Sequence, residues 1–390
     1  MSRSRTAALT LVLAGALASL VPGSTTTPPA AAAEADVRSE QDRVQRRLDR
    51  LVSSTGLPGA IATVKGSDGR ERTYVAGTAE IGTARPIDPE SRVRIASNTK
   101  MFTATVVLQL VAEGRVELDA PVERYLPGVV RGSGNDGRRI TVRHLLQQRS
   151  GIPDYDALVI DAGGSLGAVA HTYFEPHQLL DAALAERRHF RPGTAWEYSN
   201  TNYVLLGLLA QRVTARPIGE EIERRIIRPL DLTDTYWPEA GEQRLRGPHP
   251  HGYLAEEPGG PWTESTRIDP SLGWAAGQLV STPADLGRFM EGLLEGELLP
   301  ADLLAEMKRG VRAPHFDAAP GWRYGLGLAS HDLACGVTGW GHGGDIQGFE
   351  TRNLVTEDGR WAVVAVTGLP TSLEMVAEVS DSVADLVCAS

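Results

Sequence analysis

Ser97 and Lys100 stand three residues apart at the start of Thr99 to Glu113, the most apolar helical segment of the chain. On a helix, positions i and i+3 share a face, so the hydroxyl and the amine would meet one turn apart. The N-terminal end of the helix dipole favours negative charge developing on the serine oxygen. A lysine set among Met101, Phe102 and Val106 is partly desolvated, which lowers its ammonium pKa and frees a neutral amine to act as a base. That chemistry activates a serine without a histidine. The S-x-x-K pattern has only two fixed positions, and in isolation it reads better as an N-cap serine followed by a surface lysine. Context sharpens it: Lys65, Lys100 and Lys308 are the only lysines, and only Lys100 has a serine three residues before it.

Two further groups have chemistry to offer. Tyr198-Ser199-Asn200 follows the turn Arg191-Pro192-Gly193 and precedes a helix expected from about Asn202. A phenol beside an ammonium is expected to have a lowered pKa and to serve as a general base, with Asn200 holding a substrate amide. Gly341-His342-Gly343-Gly344, followed by Asp345, ends a strand whose glycines allow another backbone to approach closely. A substrate could pair with that strand, its oxyanion held by the N–H groups of Ser97 and Asp345. Whether Lys100 or Tyr198 is the base stays open at this point, because coupled groups titrate as a unit.

The elements that must position these residues come from both ends of the chain. Asp36 to Ser53 has apolar residues at helical spacing. Ala60 to Lys65 and Thr73 to Gly77 read as strands around the turn Gly66-Ser67-Asp68-Gly69. From Gly114 to about Pro270 the clearer elements are helices, at Val142 to Gln148, Pro176 to Arg188 and Asn202 to Thr214. Beyond Gly273 come a short strand at Gln278 to Ser281 and a helix at Pro283 to Leu294. Strands follow at Gly325 to Leu328, Val337 to His342, Thr351 to Thr356 and Trp361 to Thr367, and a last helix from about Leu373 to Val387. The expected fold class is α+β, an antiparallel sheet flanked by helices with a mainly helical domain inserted. The division is residues 36–115 with 270–390 for the sheet domain and 116–269 for the helical one, with the active site at their interface.

The 390 residues are 42% hydrophobic and 23% charged, enough to bury a real core. A net charge of -10 argues against a nucleic-acid partner, which needs a basic face. Residues 1–35 read as a signal peptide and cleavage region: Arg3 and Arg5, a short apolar run from Ala7 to Val21, then a Pro/Ala-rich stretch. The expectation is an extracellular protein with no membrane span in its mature form. Cys335 and Cys388 are the only cysteines, and an exported chain with one pair is expected to oxidise it to a disulfide.

Ser97-x-x-Lys100, Tyr198-x-Asn200 and His342-x-Gly344 occur in the order seen in the serine β-lactamase and penicillin-binding superfamily, and the chain resembles its class C-like members. Ile140 to Leu146 with Ser150-Gly151-Ile152-Pro153, Gly277 to Leu286, and Tyr324 to Leu328 agree. Within that superfamily the chain is most similar to secreted Streptomyces serine-type D-alanyl-D-alanine carboxypeptidases. The resemblance implies acylation of Ser97 by a peptidoglycan-type peptide or another acyl substrate, or by a β-lactam, followed by hydrolysis, with no cofactor and no metal. It implies Asn200, His342, Gly344 and Asp345 as substrate-binding residues, Trp274 as an aromatic wall, and Cys335 and Cys388 as a disulfide. Oligomeric state is not implied.

The chain departs from the family at three places. Gly343 stands where many relatives have a threonine that helps hold a substrate carboxylate. Ala329, Ser330 and His331 stand where carboxypeptidases of this type tend to carry an arginine, and losing such a charge-assisted bond weakens carboxylate recognition. Gln148 replaces a histidine. An esterase, a D-amino-acid amidase or a weak β-lactamase would use the same residues. Readings from other classes fare worse. Gly163 to Gly167 matches G-x-S-x-G, but it follows a helical region instead of a sheet and reads as a loop. His249 and His251 lack a third zinc ligand. A sensor domain that keeps a stable acyl adduct would not need the full proton-transfer set.

Overall fold

The computed structural model describes residues 29–389. The chain divides into two compact units, residues 1–39 and 40–390. The expected leader, residues 1–35, lies for the most part outside the described residues; from Pro29 onward the backbone is helical, as the start of α1 (Pro29–Thr55). Among the described residues no helix is long and apolar enough to cross a membrane.

Residues 40–390 are built on a nine-stranded antiparallel sheet. Its strands are β1 (Gly59–Lys65), β2 (Glu71–Gly77), β5 (Val311–Arg312), β6 (Arg323–Tyr324), β7 (Ala329–Asp332), β8 (Thr338–Gly341), β9 (Gly343–Ile346), β10 (Phe349–Thr356) and β11 (Trp361–Val366). Their spatial order is β2-β1-β11-β10-β8-β7-β6-β5, with β9 also paired to β10. A separate two-stranded ribbon, β3 (Val93–Arg94) and β4 (Val280–Ser281), leads into the site. The two ends of the chain meet at the β1–β11 pair, where Ala60 lies opposite Val366 and Lys65 opposite Trp361.

Alternation along the strands explains why both sheet faces are covered. On β11, Ala362, Val364 and Val366 pack with Val44, Leu48 and Leu51 of α1 and with Val379, Val383 and Leu386 of α11 (Leu373–Ala389). Trp361, Val363 and Ala365 face the other core, shared with Phe289 and Met290 of α9 (Pro283–Leu294) and Phe102 of α2 (Thr99–Ala112). Thr282 caps α9, its Oγ1 accepting from the Asp285 amide at 3.1 Å, with Pro283 at the first turn. Helices α3 (Val142–Leu146), α4 (Tyr155–Gly163), α5 (Pro176–Ala185), α6 (Asn200–Thr214) and α7 (Ile218–Ile222) come from the middle of the chain. Helices α8 (Trp274–Gly277) and α10 (Ala301–Lys308) follow.

One expectation needs correction, and one rejected reading is tested. Gly325 to Leu328 is not a strand: the Gly325 N–H donates to the Leu328 carbonyl at 2.8 Å and Gly327 takes φ +84°, so the segment is the turn joining β6 to β7. Leu158 to Ile160 lies inside α4, which stops at Gly163 and Gly164 (φ +97°). There is accordingly no strand before Ser165, which agrees with reading Gly163 to Gly167 as no nucleophile elbow.

Cys335 and Cys388 form a disulfide that ties the β7–β8 turn to the last turn of α11 across 53 residues of sequence. Replacing both with serine should lower stability by about 2–4 kcal/mol. A thermal melt of the double variant with an unchanged midpoint would contradict this.

Candidate active site

Ser97 sits in the 3-10 turn Ala96–Asn98, which runs directly into α2. Ala96 takes φ +46°, a left-handed conformation that bends the chain sharply just before the hydroxyl. The turn is pinned on several sides. The Ile95 N–H donates to Leu279 at 3.0 Å, Thr99 Oγ1 accepts from the Leu279 N–H at 3.1 Å, and Asn98 Nδ2 donates to Ile95 O at 2.8 Å. Asn98 Oδ1 accepts from Asn353 Nδ2 of β10 at 2.5 Å, and the same Nδ2 donates to His342 O at 2.8 Å. The sheet and the nucleophile turn therefore share one buried amide pair.

Lys100 is fully buried. Its Nζ lies 2.9 Å from Ser97 Oγ, 2.6 Å from Asn200 Oδ1 and 2.8 Å from Ala276 O. Burial pushes its pKa down to about 7, against the opposing pull of the Asp154, Asp156 and Asp345 carboxylates. The directions of the three contacts then matter. Asn200 Oδ1 and Ala276 O can only accept, so a neutral amine spends its two N–H donors on them and turns its lone pair to the Ser97 hydroxyl.

The Ser97 side chain pulls the Tyr198 pKa down, so the two lie close together, and the Lys100 Nζ lies 4.9 Å from the centre of the Tyr198 ring. The expected lowering of its pKa is not found: burial, followed by the nearby Tyr324, drives the phenol well above its ordinary range. Tyr198 is thus a neutral phenol at pH 7. It can relay a proton but does not start as a phenolate.

Strand β9 runs against the nucleophile turn. A Cβ on Gly344 would lie 2.2 Å from Ile95 O and 3.1 Å from the Ser97 nitrogen, so only glycine allows this approach. Asp345, next along the strand, lines the same cavity as Ser97 and pairs with Arg352 of β10 at 2.8 Å. That cavity has a volume of ≈230 Å³. Ile160, Leu166, Val169, Ile268, Leu272 and Ile346 give it an apolar wall, and Asn200, Asp156, Asp269 and Gln347 also border it.

Three candidate residues do something other than expected. His342 is 2% exposed and lies behind the site. Its Nδ1 is 2.6 Å from Gly343 O, a pure acceptor, so Nδ1 carries the proton and Nε2 accepts from the Tyr324 hydroxyl at 3.0 Å. Burial drives its pKa down to about 3, so it stays neutral. Asn200 has its amide committed within the protein, Oδ1 to Lys100 and Nδ2 to Asp154 Oδ2 at 3.0 Å. Trp274 does not border the cavity; its indole packs over Gly207 of α6.

Sequence reasoning missed Asp154 and Asp156. Asp154 caps α4 and receives the Asn200 backbone N–H at 3.1 Å, and burial raises its pKa to about 6. The signal available was Pro153-Asp154-Tyr155-Asp156, an acidic N-cap placed just after Ser150-Gly151.

The Beta-lactamase family model matches residues 44–387. The chain belongs to the beta-lactamase family. It is a serine hydrolase of the β-lactamase and penicillin-binding superfamily. A D-stereospecific amidohydrolase from Streptomyces sp. is 39% identical, with TM-score 0.78, over 86% of this chain and 97% of that one. Penicillin-binding protein 4 of Amycolatopsis lactamdurans is 27% identical over 340 residues, 83% of this chain and 84% of the relative. Protein flp of Staphylococcus aureus (strain N315) is 32% identical over 197 residues, half of this chain, which spans only 38% of that relative's length.

The Lys100 assignment has a pH signature. An ammonium cannot accept the serine proton, so kcat/KM for acylation should rise with pH through about 7 as Lys100 deprotonates. Lys100→Arg keeps the charge but cannot lose it, and should cost roughly 10²–10⁴-fold in kcat. A profile flat from pH 5 to 9, or an active Lys100→Arg protein, would contradict the assignment.

Proposed function

We propose that this protein hydrolyses amides or esters of D-amino acids that keep a free α-ammonium and carry a compact apolar side chain, through an acyl-enzyme on Ser97. The observation that carries this reading is the charge of the cavity. Among the described residues no Arg, Lys or His borders it, whereas three aspartates do. Asp345 is paired with Arg352, and Asp269 is occupied in capping Ser271 at 3.0 Å. Asp156 has no ion pair among the described residues, and its pKa is raised by burial with only the Lys100 charge opposing. A half-buried carboxylate in that condition favours an incoming cation. A terminal carboxylate, by contrast, finds no cation among the cavity's lining residues. The similarity to a D-stereospecific amidohydrolase at 39% identity supports the D configuration.

In the proposed reaction, neutral Lys100 takes the Ser97 proton as Oγ attacks the acyl carbonyl. The N–H groups of Ser97 and Asp345 hold the oxyanion. Tyr198 donates its hydroxyl proton to the departing amine and is reprotonated by the Lys100 ammonium. Water then attacks the acyl-enzyme, Lys100 takes its proton and returns it to the Ser97 oxygen as the acyl–oxygen bond breaks, and the D-amino acid is released. The expected leader and the Cys335–Cys388 disulfide support an exported enzyme.

A carboxypeptidase acting on D-alanyl-D-alanine peptides uses the same Ser97 and is the second reading, favoured by the similarity to penicillin-binding protein 4. The two separate on substrate charge. Purified protein should cleave a D-amino-acid amide at least about 10-fold faster, in kcat/KM, than its N-acetyl derivative, and Asp156→Asn should raise KM for the free amine alone. Faster cleavage of a diacyl-Lys-D-Ala-D-Ala peptide would establish the carboxypeptidase instead. Ser97→Ala should abolish both activities and any fluorescent-penicillin adduct; activity surviving in it would sink the nucleophile.

A further inference from the structure

We infer that Gln148 is the positioning residue that sets the Tyr198 hydroxyl against Ser97, by gripping the chain on both sides of that tyrosine. The inference rests on the reading that Tyr198 moves protons. Gln148 follows α3 and is completely buried, yet takes φ +59°. A side chain in the left-handed region is costly, and persists only where its surroundings determine it. Its hydrogen bonds show what is gained. The Gln148 backbone carbonyl accepts from the Glu197 N–H at 3.1 Å. The Gln148 side-chain Oε1 accepts from the Ser199 N–H, also at 3.1 Å. The residues immediately before and after Tyr198 are therefore held by one residue, through its main chain and its side chain. The same Oε1 accepts from Asn202 Nδ2 at 2.5 Å, which ties the grip to the first turn of α6.

The left-handed backbone is what makes the double grip possible, since it lets carbonyl and amide reach the same extended segment. A second cost points the same way. Gln148 Nε2 is buried and has no hydrogen-bond partner among the described residues. It lies near enough to the Tyr324 oxygen to lower that phenol's pKa, which burial otherwise drives up. Tyr324 donates to His342 and its ring stands 6.5 Å from that of Tyr198. A strained backbone at one buried residue, spent on bonds to both neighbours of Tyr198, marks a positional requirement rather than a packing one.

The test is a double-mutant cycle on the full mature chain, with ester and amide substrates. Gln148→Gly suits it, because glycine accepts the left-handed backbone and keeps the bond from Glu197 while freeing Ser199. Gln148→Leu is the companion, filling the space without an acceptor. Each should lower kcat by roughly 10- to 100-fold with KM little changed, as expected for a misplaced catalytic group. In a Tyr198→Phe background the same substitutions should cost less than about 2-fold more, since the group they position is gone. Losses that multiply, with the Tyr198→Phe defect intact, would overturn the grip alone. Tyr198→Phe protein that turns over at the parent rate would overturn both the grip and the role of Tyr198. Should Gln148→Leu fail to fold, the Gln148→Gly cycle decides by itself.

Discussion

The rest of the structure depends on keeping one lysine amine out of water with its lone pair aimed at a serine. An exposed ammonium would hold its proton near pH 10.5 and be useless as a base at neutral pH. Full burial removes that obstacle but exacts a desolvation cost, which three short contacts offset in part. Each contact comes from a different element: Ser97 from the turn before α2, Asn200 from the start of α6, and Ala276 from α8. The helical and sheet segments must therefore be docked before the Lys100 amine is held in this environment.

The same requirement accounts for the network behind the site. Asn98, Asn353 and His342 form a buried polar chain that fastens the nucleophile turn to β8, β9 and β10. Each member is a group that would be expensive to bury unpaired, and each is paired. The glycine at 344 lets β9 come close enough to Ser97 for its backbone to face a substrate, and Arg352 holds Asp345 at the edge of that strand. Catalytic groups that sit on rigid, cross-linked elements need little reorganisation as charge develops.

The roles of individual residues were less visible than their presence. His342 and Asn200 were found by motif, but in the fold they serve the protein's own groups, His342 under Tyr324 and Asn200 between Lys100 and Asp154. The Tyr198 phenol was expected to be acidified by its ammonium neighbour; the surrounding rings of Phe316, Tyr324 and His342 exclude water and reverse the sign. Nearby charge can be guessed from spacing, whereas desolvation depends on everything that packs around a group. Asp156 escaped notice for the same reason, because its position at the cavity is set by the capping of α4 by Asp154.

Local periodicity alone determined much about this chain. The apolar run after Ser97, the alternation at β1 and β11, the helix beginning at Pro283 and the spacing of Ser97 and Lys100 are all short-range facts, because the physics behind them acts within one or two turns of chain. It did not determine that Gly325 to Leu328 would be a turn, that Trp274 would turn away to Gly207, or that Asp156 would border the cavity with no ion pair among the described residues. Those outcomes belong to the tertiary structure. They follow from which distant groups share a dry space, and burial, charge pairing and backbone approach take their values only once the segments have packed together.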